Sequence, residues 1–93
     1  MSVTTATTQR LDRWIWHARI VKTRTIAAGL IAEGYVRVNG ERTEHPARAI
    51  KPGDVLTIAL PARVRVLRVT GILPRRADAS AARGLYETVN AQT

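Results

Sequence analysis

Residues 10–40 place two helical patterns directly before a β-hairpin, and this order limits the possible fold more than any other feature of the chain. Apolar residues in the first pattern recur at the spacing of one helical face, namely Leu11, Trp14, Ile15 and Ala18. The hairpin is indicated by alternation over 35–38 followed by Asn39-Gly40, the pair typical of a type I′ turn. A packing face followed by a tight antiparallel turn predicts an α+β fold.

Between these two signals the chain predicts a second, short helix over 26–33. Thr25 is the expected N-cap residue, with Thr23 as the alternative, because a threonine hydroxyl accepts a hydrogen bond from the first N–H groups of a helix. Gly34 is expected to end this helix in the left-handed conformation, which glycine adopts at little cost. The expected architecture is therefore two N-terminal helices packed on a small, mainly antiparallel sheet.

Downstream of the hairpin, the pattern predicts strands and then a short C-terminal helix. The return strand is expected over 41–44, and further strands over 54–60 and 63–73. Arginines interrupt the alternation of the last strand, which favours a bulge or a twisted edge there. Residues 79–89 are expected to form the helix, and the Thr-rich residues 1–9 a disordered leader.

The chain carries a strong excess of positive charge, with 15 lysine and arginine residues against 7 acidic ones and a formal net charge of +8. Only Lys22 and Lys51 are lysine, and arginine favours bidentate contacts to phosphate and stacking on bases. Such a balance points to nucleic acid or to an anionic membrane. The membrane interpretation is weak, because no apolar run reaches membrane-spanning length and the first helix carries charge over much of its surface.

Composition also predicts where the protein works. The chain has no cysteine, which excludes disulfides and cysteine-based zinc sites. Its first residues lack the apolar core of a secretory signal peptide. We therefore expect a cytoplasmic protein.

No pattern in the chain indicates catalysis or a bound cofactor. The two serines, Ser2 and Ser80, lie near the two ends, and the two histidines, His17 and His45, have no spacing that would support a metal site. The acidic residues show no pair placed for acid–base chemistry, and no glycine-rich phosphate loop occurs. The sequence predicts a protein that is not an enzyme and needs neither a metal nor a cofactor.

Basic residues concentrate where the first helix turns into the second. One stripe of the first helix carries Arg10, Arg13 and His17. The turn carries Lys22, Thr23 and Arg24. The hairpin and the following loop are expected to extend this surface through Arg37, Asn39, Arg48 and Lys51. Because a helix start adds free N–H groups and a positive dipole end, the set predicts a phosphate-binding surface. The alternative is a scatter of solvated charges, which for His17 is the more common case.

Trp16 lies off the apolar stripe of the first helix and needs its own explanation. Either another element covers it, with the C-terminal segment as the favoured candidate, or it is a stacking or partner-binding platform. In the second case Trp16 and Tyr86 would serve a protein–protein module. DNA is not expected as the partner, because the second helix is apolar, small and poor in base-reading groups. Recognition of structured RNA through phosphates and 2′-hydroxyls fits better.

The stretch 10–58 resembles the RNA-binding domain named after small-subunit ribosomal protein four, the S-four domain. The resemblance rests on RLD at 10–12, KTR at 22–24, Gly34, VNG at 38–40 and KPGD at 51–54. Within that superfamily, RLDRWIWHAR and the C-terminal PRRADASAARGLYE are similar to the bacterial heat-shock protein fifteen family, a ribosome-associated branch. By this resemblance, 10–73 is an S-four-type RNA-binding domain with a sheet extension, and 74–93 is a basic link with the C-terminal helix.

The resemblance also implies a partner and a role. The helices and hairpin would form the RNA surface called the αL motif, with contacts at Arg10, Arg13, Lys22, Thr23, Arg24, Asn39 and Arg48. The implied partner is ribosomal RNA of the free large subunit, still carrying a nascent chain attached to tRNA. The implied role is rescue or recycling of stalled subunits after heat stress. The alternatives are an adaptor for tRNA or small-subunit ribosomal RNA, and the protein–protein module. A monomer is expected, because the arginine-rich strand 63–70 discourages edge pairing.

Overall fold

The structure, a computed structural model, describes residues 8–76 and 78–89. Most of the leader expected over 1–9 lies outside these residues. Its last residue, Gln9, belongs instead to a short strand, β1 (Gln9–Arg10), which pairs antiparallel with β4 (Ala49–Ile50). The pairing joins the start of the first helix to the loop after the hairpin, so the expectation of disorder was wrong at Gln9.

Two helices follow β1 and meet at a corner. α1 spans Leu11–His17, and α2 spans Arg24–Ala32. Thr23 is the N-cap of α2: its backbone is extended, and its Oγ1 accepts a hydrogen bond of 3.1 Å from the N–H of Ile26. The first choice of cap, Thr25, was therefore wrong, and the alternative is confirmed.

Gly34 ends α2 as expected, with a φ of +87°. The N–H groups of Gly34 and Tyr35 donate to carbonyl groups in the last turns of the helix, which satisfies acceptors that a helix end would otherwise leave open. A Cβ atom at Gly34 would lie 2.7 Å from Nε of Arg42. The positive φ therefore favours glycine here, whereas the exposed Arg42 side chain could move to admit a Cβ atom.

The main sheet is antiparallel throughout and has the strand order β3–β2–β5–β6–β7. Its strands are β2 (Val36–Val38), β3 (Glu41–Thr43), β5 (Val55–Ala59), β6 (Val64–Val69) and β7 (Tyr86–Thr88). Asn39 and Gly40 join β2 to β3 with φ angles of 52° and 85°. Two successive positive φ angles are the mark of a type I′ turn, so the predicted hairpin is confirmed.

The arginine-rich strand is more regular than its sequence predicts. β5 and β6, both described in full, pair residue for residue from Val55 opposite Arg68 to Ala59 opposite Val64. The prediction of a bulge was therefore wrong. β6 is also not an edge strand, because β7 pairs with its other side.

The C-terminal segment contains less helix than its pattern predicts. α3 covers Ala79–Ala82, and a 3₁₀ turn over Arg83–Leu85 leads into β7. A short C-terminal helix is therefore confirmed, but the rest of the expected helix is a strand. The reason is tertiary: Leu85 is buried in the core, and Tyr86 pairs with Val69. The added strand satisfies backbone groups of β6 that a helix would leave without partners.

One hydrophobic core lies between the helices and the inner face of the sheet. Its largest fully buried side chains include Trp14, Leu11, Ile15, Ile31, Ile50, Leu56, Ile58 and Leu67. The indole Nε1 of Trp14 donates to the carbonyl of Gly71 at 2.9 Å, and its ring meets that of Tyr86 edge-on with 6.3 Å between centroids. The apolar stripe predicted on the first helix is thus confirmed as its packing face.

Candidate nucleic-acid interface

A buried carboxylate organises the basic corner, a name used here for Arg10, Arg13, Lys22, Thr23, Arg24 and Arg48 around the junction of α1 and α2. Asp12 has only 3% of its surface exposed. Arg10 donates from Nε and Nη2 to its two oxygens at 3.0 and 3.1 Å, and Arg24 donates from Nε at 3.3 Å. The backbone N–H of Arg13 adds a bond of 2.7 Å. One carboxylate therefore holds guanidinium groups from β1 and α2 at a shared point.

Asp12 is ionised in this setting. Burial alone would raise the pKa of its carboxyl group, but hydrogen bonds from Arg10, from the N–H of Arg13 and from Arg24 hold the pKa below its usual value. The contacts engage two of the five N–H donors of Arg10 and one of the five of Arg24. A single negative charge between two guanidinium groups leaves the corner positively charged, with donors to spare.

The loop after the hairpin is tied to the start of α1. The N–H of Leu11 donates to the carbonyl of Arg48 at 2.8 Å, and the N–H of Asp12 donates to that of Pro46 at 3.1 Å. Because Arg10 pairs with β4, directly after Arg48, the two arginines meet at the same end of the helix. These bonds also occupy the first N–H groups of α1, so this helix start does not offer them to a ligand.

The turn between the helices presents the remaining members of the corner. Lys22 and Thr23 are exposed, while Arg24 is partly covered by its contact with Asp12. Oγ1 of Thr23 accepts the cap bond from Ile26, which leaves its hydroxyl hydrogen available to donate. The first turn of α2 adds backbone N–H groups that the helix itself cannot pair. Guanidinium, ammonium, hydroxyl and amide donors thus meet here, and these are the groups that bind phosphate.

His17 does not belong to this surface. Its side chain is buried, and its Nδ1 lies 3.0 Å from the carbonyl oxygen of Leu73. Burial lowers its pKa, an effect that the hydrogen bond at Leu73 opposes. The positive charges of Arg13, Arg24 and Arg76 lower the pKa further. The imidazole is therefore neutral at pH 7, and both sequence interpretations, a solvated residue and an RNA contact, were wrong.

Comparison with known proteins assigns the family. The model of the S4 domain matches residues 9–56, which carry Asp12, its hydrogen-bond partners and the hairpin. A heat shock protein 15 homolog from Aeromonas salmonicida is 37% identical over 87 residues, which cover 94% of this chain and 65% of that protein. The trimeric structure of heat shock protein 15 from Vibrio cholerae is similar with a TM-score of 0.82 at 30% identity, covering 88% of this chain and 82% of that one.

The chain belongs to the S4 domain family, in its heat shock protein 15 branch. The small ribosomal subunit protein uS4 of Methylobacterium nodulans is 38% identical over 50 residues, which cover 54% of this chain and 24% of that protein. This chain spans 65% of the length of the A. salmonicida relative. The predicted family and fold class are thereby confirmed, whereas the expected monomer stays a prediction, since the V. cholerae neighbour is trimeric.

Arg76 lies outside the segment that matches the S4 domain, and sequence reasoning did not single it out. Its Cζ lies 5.8 Å from the centroid of the Trp16 ring, and its Nε lies 3.4 Å from the carbonyl oxygen of Trp16. A residue of the C-terminal segment, in the basic link after β6, therefore packs on Trp16, as the favoured sequence interpretation predicted. The pair Arg75-Arg76 was visible in the sequence only as charge, because nothing in it tells which helix the link will meet.

Two of the predicted contacts, Arg37 and Asn39, lie on the hairpin. Arg37 lies on the outer face of β2, between the buried valines of that strand. The amide of Asn39 fastens the turn to the next strand: its Nδ2 donates to Oδ1 of Asp54 at 3.1 Å, and its Oδ1 accepts from the N–H of Val55 at 2.9 Å. An RNA contact at Arg37 or Asn39 stays a prediction.

Among residues 8–76 and 78–89, no group of three or more His, Cys, Asp or Glu side chains is placed to hold a metal ion. None of the helices in this part of the S4 protein has the length and apolar character needed to cross a membrane.

Proposed function

We propose that this protein binds structured ribosomal RNA through the basic corner and catalyses no reaction. We propose further that its cytoplasmic target is the free large ribosomal subunit carrying a stalled nascent chain on tRNA, in rescue or recycling after heat stress. One observation carries the proposal: buried, ionised Asp12 holds Arg10 and Arg24 together at a surface that remains positively charged.

Pre-organised arginines suit phosphate recognition. Long side chains lose conformational freedom when they bind a ligand, and contacts that hold them beforehand reduce that cost. Asp12 provides such contacts for Arg10 and Arg24, while their other N–H donors stay available. Each phosphate engaged also releases condensed counterions, which is the main source of affinity for nucleic acid.

The shape of the corner favours RNA over DNA. A DNA-reading helix carries polar side chains that reach base edges in the major groove. The exposed side of α2 instead presents Ile26, at 47% exposure, and small residues. A surface that contacts phosphates without reading base edges fits A-form RNA, which is recognised mainly through its shape, backbone and 2′-hydroxyls.

The family supports a ribosomal target. A small ribosomal subunit protein, uS4, is similar to this chain over 50 residues, and heat shock protein 15 relatives match over most of this chain. The choice of the large subunit follows the heat shock branch, whose resemblance extends to the C-terminal segment. A second candidate, binding to small-subunit RNA, is favoured by the match to uS4.

Sedimentation of cell extract through a sucrose gradient, with and without heat stress, tests the proposal. We expect the protein to migrate with free large subunits. The variant Lys22→Glu reverses one charge of the basic corner and should move the protein to the top of the gradient. Arg63→Glu makes the same change at an exposed residue outside the corner and should leave the migration unaltered.

The gradient also separates the candidates. Migration with free small subunits would favour the second candidate and reject the large-subunit target. Migration with small RNAs would favour an adaptor for tRNA. An identical loss of ribosome binding in Lys22→Glu and Arg63→Glu would reject the basic corner as the site, because the effect would then follow net charge alone.

A further inference from the structure

Beside the basic corner, the structure holds an aromatic surface that phosphate binding does not explain. Trp14 is fully buried and hydrogen-bonded to Gly71. Trp16, two residues later on the same helix, lies on the other side and is only partly buried. Its ring contacts the guanidinium group of Arg76, with 5.8 Å from Cζ to the ring centroid, which is within the range of cation–π attraction.

Trp16 and Arg76 adjoin the basic corner. Asp12, which holds Arg10 and Arg24, lies one helical turn before Trp16 on α1, and side chains four residues apart are neighbours on a helix surface. The hydrogen bond from Nε of Arg76 to the carbonyl of Trp16 fixes the link against the helix. Trp16 and Arg76 therefore lie at the edge of the basic corner and not at a separate site.

Arg76 also lines an open groove of about 560 Å³ along the basic link. Its lining residues are Leu73, Pro74, Arg75, Arg76, Asp78 and Ala81. The volume is within the range of small-ligand sites, and the wall carries two arginines against one acid, Asp78, which leaves it with a net positive charge. Arg76 thus contacts the indole of Trp16 and also lines a groove whose other lining residues do not include Trp16.

We propose that Trp16 and Arg76 form a stacking site for one unpaired nucleobase of the RNA whose phosphates the basic corner binds. Unpaired bases stack on aromatic rings and on guanidinium planes in proteins that recognise RNA. The inference rests on the proposed RNA binding and narrows its target: the RNA carries a bulged or terminal base next to the helix that the corner holds. Phosphates supply affinity for any RNA helix, and the unpaired base adds affinity for the helix that carries it.

The experiment compares two short RNA hairpins with the wild-type protein. One hairpin has a single bulged adenosine, and the other has an abasic nucleotide at the same position, so both carry the same number of phosphates. We expect roughly 5- to 150-fold tighter binding of the adenosine hairpin, which corresponds to the usual contribution of one stacked base. The slope of log affinity against log salt concentration should be equal for both, because phosphate contacts determine it.

Two variants assign the effect to the proposed residues. Arg76→Lys keeps the charge but removes the planar group, and Trp16→Leu removes the ring; each should abolish the preference for adenosine while leaving the affinity for the abasic hairpin and its salt slope unaltered. In the wild-type protein, the adenosine hairpin should quench the fluorescence of Trp16, with buried Trp14 as the constant background. Trp16→Leu should lack this quenching.

The outcomes separate the two proposals. Equal affinity for both hairpins, with a normal salt slope, would overturn the stacking site and leave phosphate binding intact. Salt-independent or undetectable binding of both hairpins would overturn the proposed RNA binding and the stacking site with it. If Trp16→Leu fails to fold, the hairpin comparison and Arg76→Lys still decide the question.

Discussion

The basic corner and the outer face of the sheet are both rich in arginine, yet they pair their charges differently. At the corner, one buried carboxylate, Asp12, is shared by Arg10 and Arg24. On the sheet, an arginine has its own exposed acid, as Arg42 has Glu44 at 2.7 Å. The corner therefore keeps a net positive charge, whereas the pair on the sheet is neutral.

Burial explains the difference between the two regions. The side chain of Asp12 is 4% exposed, whereas Glu44 and Glu87, the acids that pair with Arg42 and Arg68, are 54% and 56% exposed. Exposed ion pairs contribute little to stability and are screened by salt. A buried carboxylate must keep its partners, because an unpaired charge costs far more inside the protein than in water. The number of arginines on a surface is therefore a weaker sign of an anion site than the presence of a buried acid that two of them share.

Removing the two acids should give the largest contrast between the regions. Asp12→Ala deletes the hydrogen bonds at the corner, and we expect the free energy of unfolding in urea to fall by about 2 kcal/mol, below the range for fully buried pairs because Arg10 and Arg24 stay solvated. Glu44→Ala should leave the urea midpoint unaltered. Equal effects of the two substitutions would mean that burial of Asp12 does not distinguish the regions.

Acidification should reveal the same contrast gradually. Folding lowers the pKa of Asp12 below its ordinary 3.8. As the pH is lowered, the unfolded chain therefore takes up the proton before the folded protein does, and the free energy of unfolding decreases. The contribution of the ionised carboxylate is fully present above the unfolded pKa and is lost as the pH falls through the folded one. The free energies of unfolding in urea of wild type and Asp12→Asn should differ by a constant amount near neutral pH, and this difference should shrink below pH 3.8. A difference that persists unaltered in acid would contradict the assigned charge state.

The cap of α2 gives a smaller effect within the corner itself. Thr23→Ala removes the acceptor of the bond from Ile26, so we expect a loss of about 1 kcal/mol in the free energy of unfolding. Thr25→Ala, two residues later in the exposed first turn of α2, serves as the matched control and should be nearly neutral. If both substitutions cost the same, the structural choice of Thr23 over Thr25 would be in doubt.

The smallest expected effect concerns the salt dependence of RNA binding. Lys22→Ala at the corner should flatten the slope of log affinity against log salt by roughly 0.7–0.9, the value of one phosphate contact. Arg42→Ala, on the sheet, should leave the slope unaltered because Glu44 already neutralises that charge. The same titration with Arg37→Ala tests its predicted contact, since a flattened slope would extend the RNA surface onto the sheet.

Local signals allowed the sequence to predict the elements that frame the site. The turn at Asn39-Gly40, the helix end at Gly34 and the packing stripe of α1 all follow from the conformational preferences of a few neighbouring residues. The cap of α2 was harder, because two threonines satisfy the same rule and only the backbone geometry of Thr23 decides between them. The C-terminal helix was predicted too long because local signals did not decide there either: helical propensity competes with pairing to the open side of β6.

By itself, the sequence determined the family resemblance, the two N-terminal helices with their packing faces, the hairpin, and the positive charge that favours an anionic partner. Only the tertiary structure decided that Asp12 is shared by Arg10 and Arg24, that His17 is buried and neutral, and that Arg76 lies on Trp16. The reason is sequence separation: His17 meets Leu73 across 56 positions, and Arg76 meets Trp16 across 60. No local rule predicts such contacts, because they depend on how the link after β6 crosses α1 once the core has formed.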